Sequence, residues 1–183
     1  MKTLVIHPQD RSTSFLSPIY SNLECKVLNG GTHTKKQLIE EIESHDRIIM
    51  LGHGSSMGLF NTGTFPKLMS YIIDDGMSEV LRTKECIAIW CNADRFMEYN
   101  DLKGFYSGMF ISEVGEARYC RINNPTQDLV TESNETFAMI MSEHIDLPIF
   151  MLSDNVRKFY TTYALVTKNK TAQYNSTRLY LIE

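Results

Sequence analysis

The sequence predicts an α/β protein, a three-layer α/β/α sandwich with a mostly parallel sheet. Three observations predict it. Short, near-continuous apolar runs recur along the 183 residues, they alternate with longer stretches of helical spacing, and apolar residues make up 43% of the chain. Strands buried on both faces read as unbroken apolar runs, and helices between them supply right-handed crossovers. The length suits a single domain over residues 1–183.

Taken in order, residues 3–6 (Thr-Leu-Val-Ile) read as a first buried strand. Residues 12–23 carry Phe15, Leu16, Ile19 and Tyr20 at helical spacing, interrupted by Pro18. Residues 25–28 form a short second strand closed by Gly30-Gly31. Thr34-Lys35-Lys36-Gln37 fits a capping box, which starts a helix over 34–44 with Leu38, Ile39 and Ile42 on one face. Residues 47–51 are a third strand, ended by Gly52-His53-Gly54, and a polar loop is expected to Thr64. Pro66 opens an expected helix through Ile73, followed by a short turn to Leu81. A fourth strand over 87–90 ends at Cys91, and residues 93–99 look helical. Met109-Phe110-Ile111 is expected as a fifth strand. A long helix to His144 follows Asn124-Pro125, a last helix spans 150–164, and the tail over 178–182 reads equally as strand or helix end.

Composition excludes several classes. The formal net charge of −4 lacks the basic footprint of a nucleic-acid binder. No apolar run approaches the roughly 20 residues of a membrane span, and the start has too short an apolar centre for a secretion signal, so the expectation is a cytoplasmic protein. Cys25, Cys86, Cys91 and Cys120 are spaced for neither a zinc motif nor a disulfide framework, and free thiols are expected. The three Asn-x-Thr triplets at Asn134, Asn169 and Asn175 are read as chance.

Ligands of parallel sheets bind at the carboxyl ends of the strands. Those ends carry His7, His53-Gly54, Cys91-Asn92 and Ser112-Glu113. A cysteine is a nucleophile as thiolate, and a nearby imidazole takes its proton. Neighbouring strands lie about 5 Å apart, so His53 and Cys91 meet if the third and fourth strands pair. The backbone N–H groups of Gly54 and Cys91 are the candidate oxyanion hole. An adjacent imidazolium and the following helix start predict a depressed Cys91 pKa. Asp10, Arg11, Glu113 and Glu116 flank these ends as candidate substrate-binding residues, the acids favouring a basic side chain. His7 reads as a packed histidine. A metal site from His7, Asp10, His53 and Cys91 has no spacing motif behind it, and neither a metal nor a cofactor is expected.

The segments Ile48-Ile49-Met50-Leu51-Gly52-His53-Gly54 and Ile87-Ala88-Ile89-Trp90-Cys91-Asn92-Ala93 resemble the caspase–haemoglobinase fold of cysteine peptidases, which includes caspases, gingipains, separases and CHAT-domain peptidases. There, one apolar strand ends in His-Gly and a second in the nucleophilic cysteine. The resemblance implies a caspase-like strand order, His53 as base, Cys91 as nucleophile, Gly54 at the oxyanion, and a peptide or protein as substrate. It covers residues 45–115.

Three other readings stand beside it. One is a catalytically inactive caspase-like interaction protein. Another is a flavodoxin-like module binding phosphate or nucleotide at Asp10-Arg11-Ser12-Thr13-Ser14, where capping by Ser12 is the simpler account. The third is a serine hydrolase, since Gly54-Ser55-Ser56-Met57-Gly58 matches a nucleophile elbow, with His144 as its late histidine.

Overall fold

The structure is a computed structural model that describes residues 1–29, 33–61 and 70–182. The chain runs through β1 (Thr3–Ile6), a 3-10 helix (Ser14–Ile19), β2 (Cys25–Leu28), α1 (Lys35–Glu43) and β3 (Arg47–Leu51). It continues through β4 (Gly54–Ser55), β5 (Gly58–Phe60), β6 (Tyr71–Ile73), a 3-10 turn (Asp75–Met77), α2 (Ser78–Leu81), β7 (Glu85–Ile89), α3 (Ala93–Tyr99) and β8 (Gly104–Ser107). α4 (Val114–Tyr119), α5 (Gln127–His144), α6 (Ile149–Thr167), α7 (Lys170–Ser176) and β9 (Leu179–Ile182) complete it. The main sheet has the order β2-β1-β3-β7-β8-β9, and a small sheet has the order β4-β5-β6. The first five strands of the main sheet are parallel; β9 closes the edge antiparallel to β8.

Both faces of the sheet are covered, which is why its inner strands β1, β3 and β7 are mostly apolar. Leu4, Ile6, Ile48, Met50, Cys86 and Ala88 pack on one side with Leu38 and Ile42 of α1, Leu81 of α2 and Phe96 and Met97 of α3. Their neighbours Val5, Ile49, Leu51, Ile87 and Ile89 point the other way, onto Leu16 and Ile19, Phe137 and Met141 of α5, and Leu152, Val156 and Tyr160 of α6. The period-2 alternation of a strand makes this division. The expected α/β/α sandwich is therefore present.

Several elements differ from the sequence reading. The helix expected from Pro66 begins outside the described residues, and its end, Tyr71–Ile73, is instead a strand paired antiparallel with β5. Tyr-Ile-Ile is an aromatic and β-branched triplet, which suits a pleated surface. Part of the expected loop after His53 is the hairpin β4–β5. The expected closure of the second strand at Gly30-Gly31 lies outside the described residues. The fifth strand is Gly104–Ser107, ahead of Met109-Phe110-Ile111. Gly104 has φ +146, and a Cβ there would stand 2.0 Å from the Cys86 carbonyl oxygen, so only glycine lets β8 approach β7. The apolar run at 109–111 is satisfied differently: the Asn175 side chain accepts from the Ile111 N–H at 2.8 Å and donates to its carbonyl at 2.9 Å. The segment over 12–23 yields the shorter 3-10 helix, and the ambiguous tail is a strand.

Thr34 caps α1 with the expected box: its hydroxyl accepts from the Gln37 N–H, and the Gln37 side chain accepts from the Thr34 N–H. All four cysteines are free. Asn134, Asn169 and Asn175 are buried, in keeping with reading their triplets as chance. Among the described residues no helix is long and apolar enough to cross a membrane.

Among the described residues Arg47 is the one large charged side chain sealed into the core, 1% exposed. It pairs with Glu85 on the neighbouring strand and donates to the carbonyls of Ile145 and Leu147, the latter at 2.7 Å. It therefore ties the amino ends of β3 and β7 to the turn between α5 and α6. Arg47→Met strips donors from two carbonyls and a partner from Glu85. The expected cost is on the order of 3 kcal/mol, read as a lower urea midpoint with an unchanged slope; a variant as stable as the parent would contradict this role.

Candidate active site

β3 and β7 pair in parallel with Leu51 opposite Ile89. The Gly52 N–H extends the ladder by donating to the Ile89 carbonyl at 3.1 Å. His53 and Cys91 each lie two residues beyond that last pair, so they leave the sheet edge side by side. Both line one small cavity of about 20 Å³ with Thr13, Leu16 and Phe110. Phe15, His53 and Ser112 line this cavity and also a wide groove above it, of about 1450 Å³. Asp10, Arg11, Glu113 and Glu116 all line the groove. The four candidate substrate-binding residues and His53 thus share one surface, while Cys91 lies in the cavity beside it.

His53 is held from β1's carboxyl end. The Ser12 hydroxyl donates to Asp10 Oδ1 at 2.9 Å, and Ser12 Oγ lies 2.6 Å from His53 Nε2. A hydroxyl has one proton; with it given to Asp10, the oxygen accepts from Nε2–H. Asp10 Oδ2, 3.5 Å from the same nitrogen, adds its charge. This assigns the tautomer with Nε2 protonated and leaves Nδ1 as the basic nitrogen. Burial pushes the Asp10 carboxyl up, but the Thr13 N–H, the hydroxyls of Ser12 and Thr13, and His53 together hold it below its ordinary value. Asp10 is thus an anion beside the imidazole.

The same contacts revise the reading of the Asp10–Ser14 loop. Ser12 does not cap the 3-10 helix. Asp10 does the local work, taking the Thr13 N–H at 2.8 Å and the Thr13 hydroxyl at 3.0 Å. One amide a phosphate would need is occupied by a carboxylate.

The Cys91 thiol donates to the Phe110 carbonyl at 3.3 Å and faces Glu116 Oε1 at 3.7 Å. Burial pushes its pKa well above the ordinary cysteine value, and the Glu116 carboxylate adds to the rise. The expectation of a depressed pKa is therefore corrected: the resting group is a thiol. The helix start expected to help is only seven residues long and begins after Asn92 in the left-handed region at φ 66.

Gly54 has a packing reason to be glycine. A Cβ there would lie 2.2 Å from Trp90 Cδ1. The indole, 2% exposed, lies against this backbone and donates Nε1–H to the Ser55 carbonyl at 3.0 Å. The residue preceding Cys91 therefore grips the residue following His53.

Sequence reasoning missed Ser12 as the partner of His53, Glu116 as the partner of Cys91, and Asn134, which reaches from α5 to donate to the Ser112 carbonyl at 2.9 Å. The one legible signal was Glu116 three residues into the run from Glu113, a helix-start spacing; its carboxylate does accept from the Glu113 N–H. The nucleophile-elbow reading needs strand, turn and helix around Ser56. Ser56 instead lies at the turn of the β4–β5 hairpin, and His144 is bonded to the Ile140 carbonyl at the end of α5. No three His, Cys, Asp or Glu side chains among the described residues are grouped to hold a metal.

The chain matches no family model and no curated protein.

His7 is fully buried, with Nδ1 3.0 Å from the Tyr20 hydroxyl and Nε2 without a partner among the described residues. Burial lowers its pKa to about 4, against weaker opposing contributions from Thr13 and Asp10. The unfolded chain takes up this proton near pH 6.5 and the folded one only near 4, so stability present above 6.5 is lost as pH falls through that window. Between pH 7 and pH 5 the parent should lose about 2 kcal/mol more than His7→Gln in urea unfolding; equal losses would contradict this. Gly54→Ala should displace Trp90, red-shifting its fluorescence and costing about 1–3 kcal/mol; an unshifted spectrum would contradict the packing argument.

Proposed function

We propose that this chain is a caspase-like thiol hydrolase that cleaves a peptide or amide bond, with Cys91 as nucleophile and His53 as the proton carrier. The observation that carries the reading is the parallel register of β3 and β7, which sets His53 and Cys91 at equivalent strand ends around one cavity. The resting thiol sets the order of events. As Sγ attacks the substrate carbonyl carbon, its proton passes to His53 Nδ1. Asp10 and Ser12 hold the ring at Nε2 and stabilise the imidazolium. The carbonyl oxygen becomes an oxyanion, for which the N–H groups of Gly54 and Cys91 are the candidate donors. The tetrahedral intermediate collapses, the C–N bond breaks, and Nδ1–H protonates the leaving amine. Water, deprotonated by the same nitrogen, then attacks the thioester carbonyl; the C–S bond breaks, the carboxylic acid product leaves, and Nδ1–H returns its proton to the sulfur.

The groove is the candidate site for the flanking peptide. Four free cysteines fit work in a reducing, cytoplasmic setting. One observation favours a second reading, an inactive interaction protein: the thiol is held protonated between Phe110 and a carboxylate.

Turnover of a fluorogenic peptide library separates the two. Cys91→Ala should abolish cleavage, and His53→Ala should lower kcat by about 10²–10⁴-fold. Asp10→Asn should lower kcat with little change in KM, as expected for a residue that positions another. Cleavage by Cys91→Ala at the parent rate, or no cleavage of any library member by the parent, would overturn the hydrolase reading.

A further inference from the structure

The groove holds more acid than the hydrolytic chemistry uses. Asp10, Glu113, Glu116, Glu135 and Glu143 line it, and among its described lining residues only Arg11 carries a fixed positive charge. Two of the lining residues stand apart because both are fastened to Ser112. Glu116 Oε2 accepts from the Ser112 N–H at 2.7 Å, the Ser112 hydroxyl at 2.9 Å and the Glu113 N–H at 3.2 Å. The carboxylate is thereby fixed, with Oε1 toward the Cys91 thiol, a weak donor.

Asn134 lies on the other side of Ser112. It is 4% exposed, and its Nδ2 donates to the Ser112 carbonyl. That bond fixes the amide orientation and leaves Oδ1 a buried acceptor with no partner among the described residues. Buried polar atoms in native proteins nearly always have partners, so this one, on a residue that lines the groove, is short of a donor. Ser112 thus fastens two lining residues of the groove, one an acceptor-only carboxylate and the other an amide with an unused oxygen, and together they call for a group with several N–H donors and a positive charge. A guanidinium or an ammonium supplies both.

We infer that Glu116 and Asn134 form a subsite for the basic side chain of the substrate, and that a cation seated there activates Cys91 by neutralising the carboxylate next to it. This rests on Cys91 being the reactive group proposed above. The physical link is charge. A carboxylate 3.7 Å from the sulfur opposes the thiolate, and a cation on that carboxylate removes the opposition. The thiol then stays quiet in the empty protein and becomes reactive when a basic substrate is in place. Recognition and activation fall to one residue. Glu113, Glu135 and Glu143 are exposed along the groove and add a long-range attraction for the same class of peptide.

The test measures thiol reactivity separately from hydrolysis. The full chain is alkylated with limiting iodoacetamide at neutral pH, and each cysteine's rate is followed by peptide mapping. N-acetylarginine amide is the charged probe, and N-acetylcitrulline amide is its neutral isostere. The charged probe should raise the Cys91 rate about tenfold or more, the effect of one unit in pKa, and leave Cys25 and Cys120 unchanged. The neutral probe should do nothing. Glu116→Gln keeps an oxygen for Ser112 and should be fast without any probe and indifferent to it. Asn134→Leu should need several-fold more probe for the same effect. A Cys91 rate that the charged probe leaves unchanged or slows, or one that both probes raise equally, would overturn the subsite, and these wild-type measurements need no variant to fold. The two proposals fail separately. Charge-responsive alkylation without peptide turnover would reject the hydrolase and keep the subsite. Cleavage indifferent to substrate charge, with unresponsive alkylation, would do the reverse.

Discussion

The pairing of β3 with β7 in one register is the constraint on which the rest of this molecule depends. Slipping it by one residue would turn His53 and Cys91 to opposite faces of the sheet. The apolar pattern does little to prevent that slip, because both strands are buried on both faces and read alike in either register. The register is held at its ends instead. At the amino end Arg47 stands opposite Glu85 and is locked onto the α5–α6 turn. At the carboxyl end the Gly52 N–H reaches the Ile89 carbonyl, and the Trp90 indole sits on Gly54. A buried ion pair is a costly way to add stability but a good way to choose one arrangement among near-equals. Here a charge at one edge of the sheet sets the chemistry at the other.

Above that edge the site is built from contributions of different elements, each with its own local reason. The turn after β1 offers Asp10 and Ser12, which fix the ring of His53 by one nitrogen and free the other. The segment between β8 and α4 offers Ser112 and Glu116, which fix the surroundings of Cys91. α5 lies across both and brings Asn134. The two candidate reactive groups are thus held by separate partners and have different resting states. His53 has an anion behind it, and Cys91 has an anion in front of it. The first arrangement orients the ring and the second opposes loss of the thiol proton, so the cysteine is where reactivity is restrained.

The first four strands of the main sheet were legible because their information is local. Residues 3–6 and 47–51 are mostly apolar runs, residues 25–28 are a shorter mixed one, and each is a strand. Thr34 and Gln37 announce α1 by a rule that spans only four residues. The small sheet was not legible, since β6 owes its conformation to a partner, β5, that only the fold brings near. The run at 109–111 misled for a similar reason: its backbone is satisfied by Asn175, far along the chain, and apolar content alone could not reveal that. At the site, the strand ends carrying His53 and Cys91 followed from the alternation of elements. The contacts of Ser12, Glu116 and Asn134 are tertiary and left no pattern. The error over the Cys91 pKa has the same origin, because burial and a carboxylate 25 positions away decide it.

The central claim is that the sheet edge makes one cysteine of four chemically distinct, through its neighbour on the next strand. The direct measurement is covalent capture by peptidyl acyloxymethyl ketones, with the modified residue located by tandem mass spectrometry in the parent chain and in His53→Ala. The account predicts a single adduct on Cys91 that the histidine variant loses. Adducts on Cys25 or Cys120 in preference to Cys91, or capture at Cys91 that is indifferent to His53, would contradict it.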